Sequence, residues 1–284
     1  MNLPEPLAEG RIAEIFPWQD GKVLKLARDW VPANWVDYEY KIARIVYATG
    51  LNVPEPFERI EVEDRPGIVY TRVDGRTMLS HIGAAPQKSL GFARTLAELH
   101  TEMHTKPGAP ELPDVHDRLK RKIQAVEGAP PEIRQTVLEK MNSLPFGDRL
   151  LHGDFHPDNV MLTPAGKGFL PIIIDWPDAA RGHPLADVAR TSILIRAGGL
   201  PQQLVLHFLV GMFRNTFHRI YLNTYFKHSS HSRAELKDWM LPVTFARLSE
   251  DIESEKRWLV GEVCEILEIP VPDLGDSHLG SDRA

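Results

Sequence analysis

The segment HGDFHPDN, residues 152–159, is the densest polar cluster in this chain of 284 residues. An apolar pair, Leu150-Leu151, precedes it, and the apolar run Val160–Leu162 follows it. Gly153 and Pro157 both disfavour a helix through the segment. The pattern therefore predicts a polar loop that is anchored at each end by buried apolar residues.

A further carboxylate, Asp175, comes at the end of a strand predicted over Phe169–Asp175, whose apolar centre is Ile172–Ile174. A carboxylate in a protein interior is costly unless it binds a cation or is fully hydrogen-bonded. The chain has one cysteine, Cys264, so a cysteine-based zinc site is excluded. Hard oxygen ligands without thiolates favour magnesium.

Phosphoryl transfer needs a carboxylate to accept the hydroxyl proton, and an Asn and an Asp to hold Mg²⁺ against the nucleotide phosphates. The catalytic loop of kinases has the form H-R-D-x-x-x-x-N. His152, Asp154 and Asn159 have the same spacing. Asp175 stands where the aspartate of the kinase D-F-G motif would be, with Trp176 in place of Phe.

Together with GHPLAD at residues 182–187, these motifs resemble the aminoglycoside phosphotransferase family, which is also similar to choline and homoserine kinases. The resemblance implies an α+β, bilobal, protein-kinase-like fold with a small β-rich N-terminal lobe and a larger, mainly helical C-terminal lobe. Residues 1–75 would form the nucleotide-binding lobe and residues 76–270 the catalytic and acceptor-binding lobe. Residues 271–284 would form a flexible tail.

The same resemblance implies the roles of five residues. Asp154 would be the catalytic base, and Asn159 and Asp175 the magnesium ligands. His152 would support the loop, and Asp187 would brace it. The implied cofactors are ATP and Mg²⁺, and the implied partner is a small molecule with a hydroxyl group that accepts the phosphate.

Lys25 stands on the predicted strand Lys22–Leu26 and resembles the lysine that pairs the α- and β-phosphates. A basic group at that place neutralises phosphate charge during transfer. Its best partner is Glu39, in a helix that the apolar spacing predicts from Asn34 to Thr49. Without Glu39 and the loop, Lys25 would be interpreted as an ordinary exposed strand lysine.

The rest of the nucleotide site is also expected in the N-terminal lobe. Gly10, in the segment EGRIAE at residues 9–14, would belong to the phosphate-covering loop, although it is the loop's single glycine. The stretch from Tyr70 to Val73 would be the hinge, whose backbone could bond adenine.

The remaining pattern predicts strands in the first part of the chain and helices in the rest. Further strands are predicted at Arg11–Phe16, Phe57–Val62 and Gly67–Val73, with a hairpin signal at Gln19–Gly21. Further helices are predicted at Leu90–His104, Val115–Val126, Pro131–Leu144 and Pro201–Tyr225, and helical structure fills Arg233–Leu267.

Two other function classes stay open. The single glycine of the phosphate loop motivates a non-catalytic nucleotide-binding protein of the same fold. A metal-dependent hydrolase would instead use His152, Asp154, His156 and Asp175 as ligands. The chain retains Lys25, Asp154, Asn159 and Asp175. This favours the kinase, because a pseudokinase commonly lacks one of them.

The composition limits the classes of partner that the protein is expected to bind. The 33 basic and 39 acidic side chains give a net charge of −6, which argues against a nucleic-acid binder. No apolar stretch approaches a membrane span, and the first residues carry no secretory pattern. With a single cysteine, this fits a cytoplasmic protein that acts neither on nor in a membrane. No pattern indicates an oligomeric state.

The acceptor is left open among an aminoglycoside, a choline-like amine, homoserine, a sugar or another metabolite. Carboxylates near the site would attract a cationic acceptor. The candidates are Asp178, Glu250, Asp251, Glu253 and Glu255. A basic run is expected to be a solvated helix face. It comprises Arg118, Lys120, Arg121 and Lys122.

Overall fold

The computed structural model describes residues 3–19, 21–166, 168–197 and 204–271, with the backbone alone for 204–210. A β-rich N-terminal lobe precedes a larger, mainly helical lobe, so the predicted α+β bilobal fold is confirmed. Three predicted features lie wholly or partly outside the described residues. They are Asp20 of the hairpin signal, the start of the helix predicted at Pro201, and the tail beyond residue 271.

The N-terminal lobe is built on one antiparallel sheet. Its strands are β1 (Ala8–Glu9), β2 (Ala13–Pro17), β3 (Lys22–Ala27), β4 (Pro56–Val62) and β5 (Arg65–Thr71). Their spatial order is β1-β2-β3-β5-β4, so β3 is central and is paired on both sides. A side chain in the middle of β3 is therefore held at a fixed place on the sheet.

One helix, α1 (Ala33–Tyr47), packs against this sheet. Its buried side chains are Val36, Ile42, Ala43 and Val46, which lie on one face of the helix predicted from Asn34 to Thr49. Ile68, the cross-strand neighbour of Lys25, lies in one apolar cluster with Val36. Because directly opposed residues share a face of a sheet, Lys25 also lies on the face toward α1. Gly50, with φ of 73°, follows the end of the helix.

The C-terminal lobe contains eight helices among the described residues. They are α2 (Met78–Ala84), α3 (Ser89–Met103), α4 (Val115–Gln124), α5 (Pro131–Asn142), α6 (Pro184–Ala197), α7 (Leu204–His228), α8 (Arg233–Arg247) and α9 (Glu253–Leu267). Its short strands are β6 (Arg76–Thr77), β7 (Arg149–Leu151), β8 (Val160–Ala165), β9 (Gly168–Ile173) and β10 (Ala180–Gly182). Strands β8 and β9 form an antiparallel hairpin, and β7 pairs with β10.

Helix α6 is nearly all buried and packs against α7 and α8. The sequence did not indicate this helix, because a helix that is apolar on all sides has no amphipathic stripe. The helical region Arg233–Leu267 is broken into two helices. A 3₁₀ turn at Leu248–Glu250 and the left-handed residue Asp251 (φ 47°) separate them.

Within the described ranges, no helix is both long enough and apolar enough to cross a bilayer.

Candidate active site

The polar loop after β7 turns sharply at Gly153. This residue has φ of 81°, a conformation that side chains disfavour. A Cβ atom there would overlap the carbonyl oxygen of Asp178. Glycine is therefore required at this position, and its absence of a side chain lets the loop lie directly against the Asp178 backbone.

Asp187, at the start of α6, binds the backbone of the loop through its carboxylate. Its Oδ2 accepts a hydrogen bond from the backbone N–H of His152 at 2.6 Å, and its Oδ1 accepts one from that of Gly153 at 2.9 Å. The side chain is fully buried. Burial alone would raise the pKa of Asp187, but hydrogen bonds from His100 and His104 hold that pKa well below its ordinary value. The carboxylate is thus ionised and fixes the backbone of two loop residues.

His100 on α3 and His104, the residue directly after the end of α3, are part of this support and were missed by the sequence analysis. Their Nε2 atoms lie 3.1 and 3.4 Å from Asp187 Oδ2. Their Nδ1 atoms lie 2.6 Å from the Tyr221 hydroxyl and 2.8 Å from the Tyr225 hydroxyl. Since a carboxylate only accepts, each Nε2 carries the proton and each Nδ1 accepts from a tyrosine. Burial lowers the pKa of His100 below its ordinary value and that of His104 to about 4, so both rings are neutral at pH 7.

His152 connects the loop to the strand that precedes Asp175. Its Nε2 lies 3.1 Å from the carbonyl oxygen of Ile174, and its Nδ1 accepts from the backbone N–H of Asp154 at 3.3 Å. Its ring packs on Trp176, with centroids 4.4 Å apart. Both imidazole nitrogens lie within hydrogen-bonding distance of backbone atoms, so His152 holds the loop and the segment before Asp175 at a fixed separation.

Asp154 projects from the loop with its side chain 29% exposed. One oxygen lies 3.4 Å from His156 Nε2, and the other lies 3.3 Å from Arg190 Nη2 on α6. Partial burial would raise the pKa of Asp154, but the His156 hydrogen bond and the Arg190 charge lower it below its ordinary value. The carboxylate is ionised at any physiological pH. Arg190 was not among the residues that the sequence singled out.

Asn159 and Asp175 are brought together by the β8–β9 hairpin. Val160 pairs with Ile173, so the residues just outside the two strands share one end of the hairpin. The Ile174 N–H donates to the Asn159 carbonyl at 3.0 Å. The Asn159 side-chain amide donates to the Asp154 carbonyl oxygen at 2.9 Å. The loop and the hairpin are therefore joined through Asn159.

The donor chemistry of this end of the hairpin fits a magnesium ion. Asn159 uses its NH₂ group on Asp154, which directs its amide oxygen elsewhere as a neutral oxygen donor. Asp175 has φ of 63°, an uncommon conformation for a residue with a side chain, and its carboxylate is 45% exposed. One carboxylate and one amide oxygen are the kinds of ligand that Mg²⁺ takes from protein while it keeps water and phosphate oxygens.

Lys25 joins the two lobes. Its Nζ lies 2.7 Å from Glu39 Oε1 on α1 and 3.2 Å from Asp175 Oδ1. The Tyr70 hydroxyl donates to the same Glu39 oxygen at 3.3 Å. Burial would lower the pKa of Lys25, but the two carboxylates outweigh it and raise that pKa above its ordinary value. The lysine is permanently charged and aimed at the end of the hairpin.

The other two predicted nucleotide residues lie apart from this cluster. The Gly10 N–H donates to the Ala13 carbonyl at 2.8 Å, which closes a tight turn before β2. Val73 follows the end of β5 and is half-buried. No described hydrogen bond joins Gly10 or Val73 to Lys25 or its partners. Tyr70 reaches the cluster by its side chain, whereas its backbone lies within the paired part of β5.

The ligand set proposed for a hydrolase is not assembled. Among the described residues, the one group of three or more His, Cys, Asp or Glu side chains close enough to share an ion is His100, His104 and Asp187. His152 faces Trp176 and the Ile174 carbonyl instead of joining Asp154 and Asp175.

The five acidic residues considered for the acceptor have different surroundings. Glu250 is bonded by Lys122 at 2.9 Å, by Arg190 at 2.8 Å and by Arg247. Glu255 forms a buried two-point pair with Arg247, at 2.7 and 2.9 Å. Asp178 is half-buried and lies 3.5 Å from Arg118, whereas Asp251 and Glu253 are exposed. The basic run is also divided, since Arg118 and Lys122 are half-buried in contacts while Lys120 and Arg121 are exposed.

The fold is that of the kinase-like phosphotransferases. It is similar to aminoglycoside phosphotransferase APH(4)-Ia, whose thermostable variant in complex with AMP-PNP and hygromycin B gives a TM-score of 0.62 at 16% identity, covering 93% of this chain and 92% of that one. It is also similar to the streptomycin–ATP complex of APH(2")-IIa, with a TM-score of 0.57 at 18% identity over 95% and 93% of the two chains.

The chain belongs to the phosphotransferase enzyme family, whose sequence model matches residues 5–225. Among curated proteins it is similar to acyl-CoA dehydrogenase family member 11. The Gallus gallus protein is 29% identical over 176 residues, which is 55% of this chain and 22% of that protein. The Homo sapiens protein is 26% identical over 181 residues, 57% of this chain and 23% of that one. The matched region spans under a quarter of these relatives.

Proposed function

We propose that this protein is an ATP- and Mg²⁺-dependent kinase that transfers the γ-phosphate of ATP to a hydroxyl group of a small molecule. The strongest support is the position of Lys25 Nζ, 2.7 Å from Glu39 and 3.2 Å from Asp175. Phosphoryl transfer depends on positioning and charge neutralisation, and this cluster supplies both. The family membership and the nucleotide-bound structures of similar fold support the same reading.

In this proposal Asp154 receives the acceptor's hydroxyl group. The oxygen forms a bond to the γ-phosphorus, the bond from that phosphorus to the β–γ bridging oxygen breaks, and the hydroxyl proton passes to Asp154. Because the pKa of Asp154 is low, this carboxylate is a weak base. Its main contribution is then to orient the hydroxyl oxygen, and it takes the proton late in the transfer.

Asn159 and Asp175 would hold the magnesium ion, which when bound neutralises charge on the β- and γ-phosphate oxygens. Lys25 would bind the α- and β-phosphates, kept in place by Glu39 and Tyr70. His152 and Asp187 would keep the loop in register with the hairpin.

Gly10 and Val73 complete the proposed nucleotide site at its edges. Gly10 would place the turn before β2 over the phosphates. Beyond the end of β5 at Thr71, the chain is no longer in the sheet. The backbone near Val73 is thus a better partner for adenine than the paired backbone of Tyr70.

Substitution of Asp154 by Asn tests this function. The variant keeps the size of the side chain but removes its charge, so we expect release of ADP with an active acceptor to fall by about 100-fold or more. The stabilisation of the protein by ATP and Mg²⁺ in a thermal-shift assay should remain. Asp158→Asn is the matched control, because Asp158 is exposed in the same loop and should leave turnover unchanged. Undiminished turnover in Asp154→Asn would refute the assignment.

A second candidate function is nucleotide binding without catalysis. The single glycine of the phosphate loop favours it, because fewer flexible positions cover the phosphates. This alternative predicts a thermal shift with ATP and Mg²⁺ but no ADP release, either with a panel of hydroxyl compounds or as slow hydrolysis by water.

A further inference from the structure

A recess beside the catalytic loop has five basic side chains in its wall. Arg118, Arg121 and Lys122 reach it from α4, Arg190 from α6 and Arg247 from α8. The recess consists of two adjoining hollows that share Arg118, Lys122 and Asp178. We call it the basic recess.

The basic recess adjoins the position where the acceptor hydroxyl would lie. Gly153 is part of its lining, and the Arg190 guanidinium in that lining is 3.3 Å from the Asp154 carboxylate. Arg118 donates to the carbonyl oxygens of Asp178 and Ala179, and the Asp178 carbonyl is the atom against which Gly153 packs. A molecule bound here could therefore present a hydroxyl group to Asp154.

The carboxylates in and around the recess are already shared by several cations. Glu250 is bonded by Lys122, Arg190 and Arg247, and Arg247 also holds Glu255. Asp187 is turned toward two backbone N–H groups and two histidines. Asp178 is a further carboxylate of this region, and it lies 3.5 Å from Arg118.

Among the side chains that line the recess, basic groups outnumber carboxylates. The two hollows are lined by five basic side chains and by two carboxylates, Asp178 and Asp187. Asp154, Glu250 and Glu255 pair with Arg190, Lys122 and Arg247 without being part of the lining. Arg121 has no side-chain ion pair among the described contacts, so its charge is available at the rim. The chain as a whole carries −6, so this excess is a local property. A cleft lined by one sign of charge attracts the opposite sign and repels its own.

We propose that the acceptor is a small-molecule alcohol carrying a carboxylate or phosphate group, and that Arg118, Arg121 and Lys122 bind this group. The proposal rests on the kinase function proposed above. Guanidinium groups bind planar carboxylates and phosphates through paired N–H donors. A polyamine acceptor would instead meet repulsion at the same wall.

Four probes on one scaffold test the charge preference. They are glycerol, glycerate, glycerol 3-phosphate and 3-amino-1,2-propanediol. Each is titrated by calorimetry into protein saturated with AMP-PNP and Mg²⁺, which keeps the probes out of the nucleotide site. We expect glycerate or glycerol 3-phosphate to bind about tenfold tighter than glycerol, and the amine to bind weakest. The comparison of the two anions distinguishes a carboxylate site from a phosphate site.

The variants Arg118→Gln and Arg121→Gln should each weaken binding of the preferred anion by about three- to tenfold, and leave glycerol unchanged. Lys120→Gln is the matched control, because Lys120 is exposed on the same helix and does not line the recess. If Arg118→Gln disturbs folding through its backbone contacts, the exposed Arg121→Gln still decides.

The outcomes separate the two proposals. Failure of AMP-PNP and Mg²⁺ to bind refutes the kinase function. Nucleotide binding with no anion preference, with a preference for the amine, or with no detectable binding of either anion refutes the anionic acceptor and leaves the kinase function standing.

Discussion

Lys25 on β3 lies 3.2 Å from Asp175, a residue 150 positions later in the chain. The same amino group lies 2.7 Å from Glu39 on α1. One lysine thus fixes a strand, a helix and the end of the β8–β9 hairpin relative to each other. This contact sets the geometry between the lobes. It also presents positive charge to the end of the hairpin.

Replacement of Lys25 by Met should therefore impair nucleotide use. It removes the charge proposed to meet the phosphates and leaves Glu39 partly buried without its cation. We expect kcat/KM for ATP to fall by about 100-fold or more. Steady-state ADP release at varied ATP concentration measures this. Lys22→Met, on the same strand, should be close to wild type, and an equal loss in both variants would contradict the assignment.

Asp175→Asn tests the metal. The substitution keeps an oxygen donor but removes its charge, so the concentration of Mg²⁺ needed for half-maximal activity should rise by about tenfold or more. The measurement is a Mg²⁺ titration at fixed ATP concentration, with Asp158→Asn alongside it. A variant whose Mg²⁺ requirement matches wild type would exclude Asp175 as a ligand.

Gly153→Ala should distort the catalytic loop. The added methyl group would overlap the Asp178 carbonyl oxygen in a backbone conformation that alanine disfavours. We expect the free energy of unfolding to fall by about 2–4 kcal/mol, and activity to be lost. Gly166→Ala separates the two causes, because Gly166 also has positive φ (57°) but open space around it. Its cost should be about 1 kcal/mol, measured by urea unfolding.

The buried histidines predict how stability depends on pH. Burial lowers the pKa of His104 to about 4 in the folded protein, below its unfolded value. The unfolded chain therefore binds more protons between about pH 6.5 and 4, and the free energy of unfolding falls as pH falls through that window. This one group should contribute on the order of 1–2 kcal/mol between pH 6.5 and 5.

Urea unfolding at a series of pH values checks that prediction. The variant His104→Gln should be less stable at pH 7, but its stability should change less steeply between pH 6.5 and 5. His228→Gln, at an exposed site, should keep the wild-type slope. An unchanged slope in His104→Gln would show that His104 does not supply the protons.

The parts of the site predictable from sequence were those whose partners are close in the chain or follow a fixed spacing. His152, Asp154 and Asn159 belong to one loop, and Asp175 follows the strand paired with the residues after that loop. The lysine strand and its helix have strong periodic patterns. The loop, the strands and the helix could therefore be predicted from local sequence. The chemical roles of their polar residues stay predictions.

Long-range contacts were not predictable in the same way. His100 and His104 reach Asp187 from a helix more than 80 residues earlier, and on that helix they look like ordinary amphipathic residues. Lys122 meets Glu250 across 128 positions. Each pairing depends on how the helices pack, so the basic wall appeared in the sequence as no more than a solvated helix face.

In the β8–β9 hairpin, strand pairing sets the distance between the proposed ligands Asn159 and Asp175. That distance does not depend on how many residues the chain has between them. Extra residues at the far tip of the hairpin, around Gly166, would leave the pairing of Val160 with Ile173 in place. Deletion of one residue within β8 or β9 would instead turn the following side chains to the opposite face of the ribbon. The tip is therefore the place for an affinity tag or a fluorescent label, whereas a change of one residue within either strand should displace the proposed ligands.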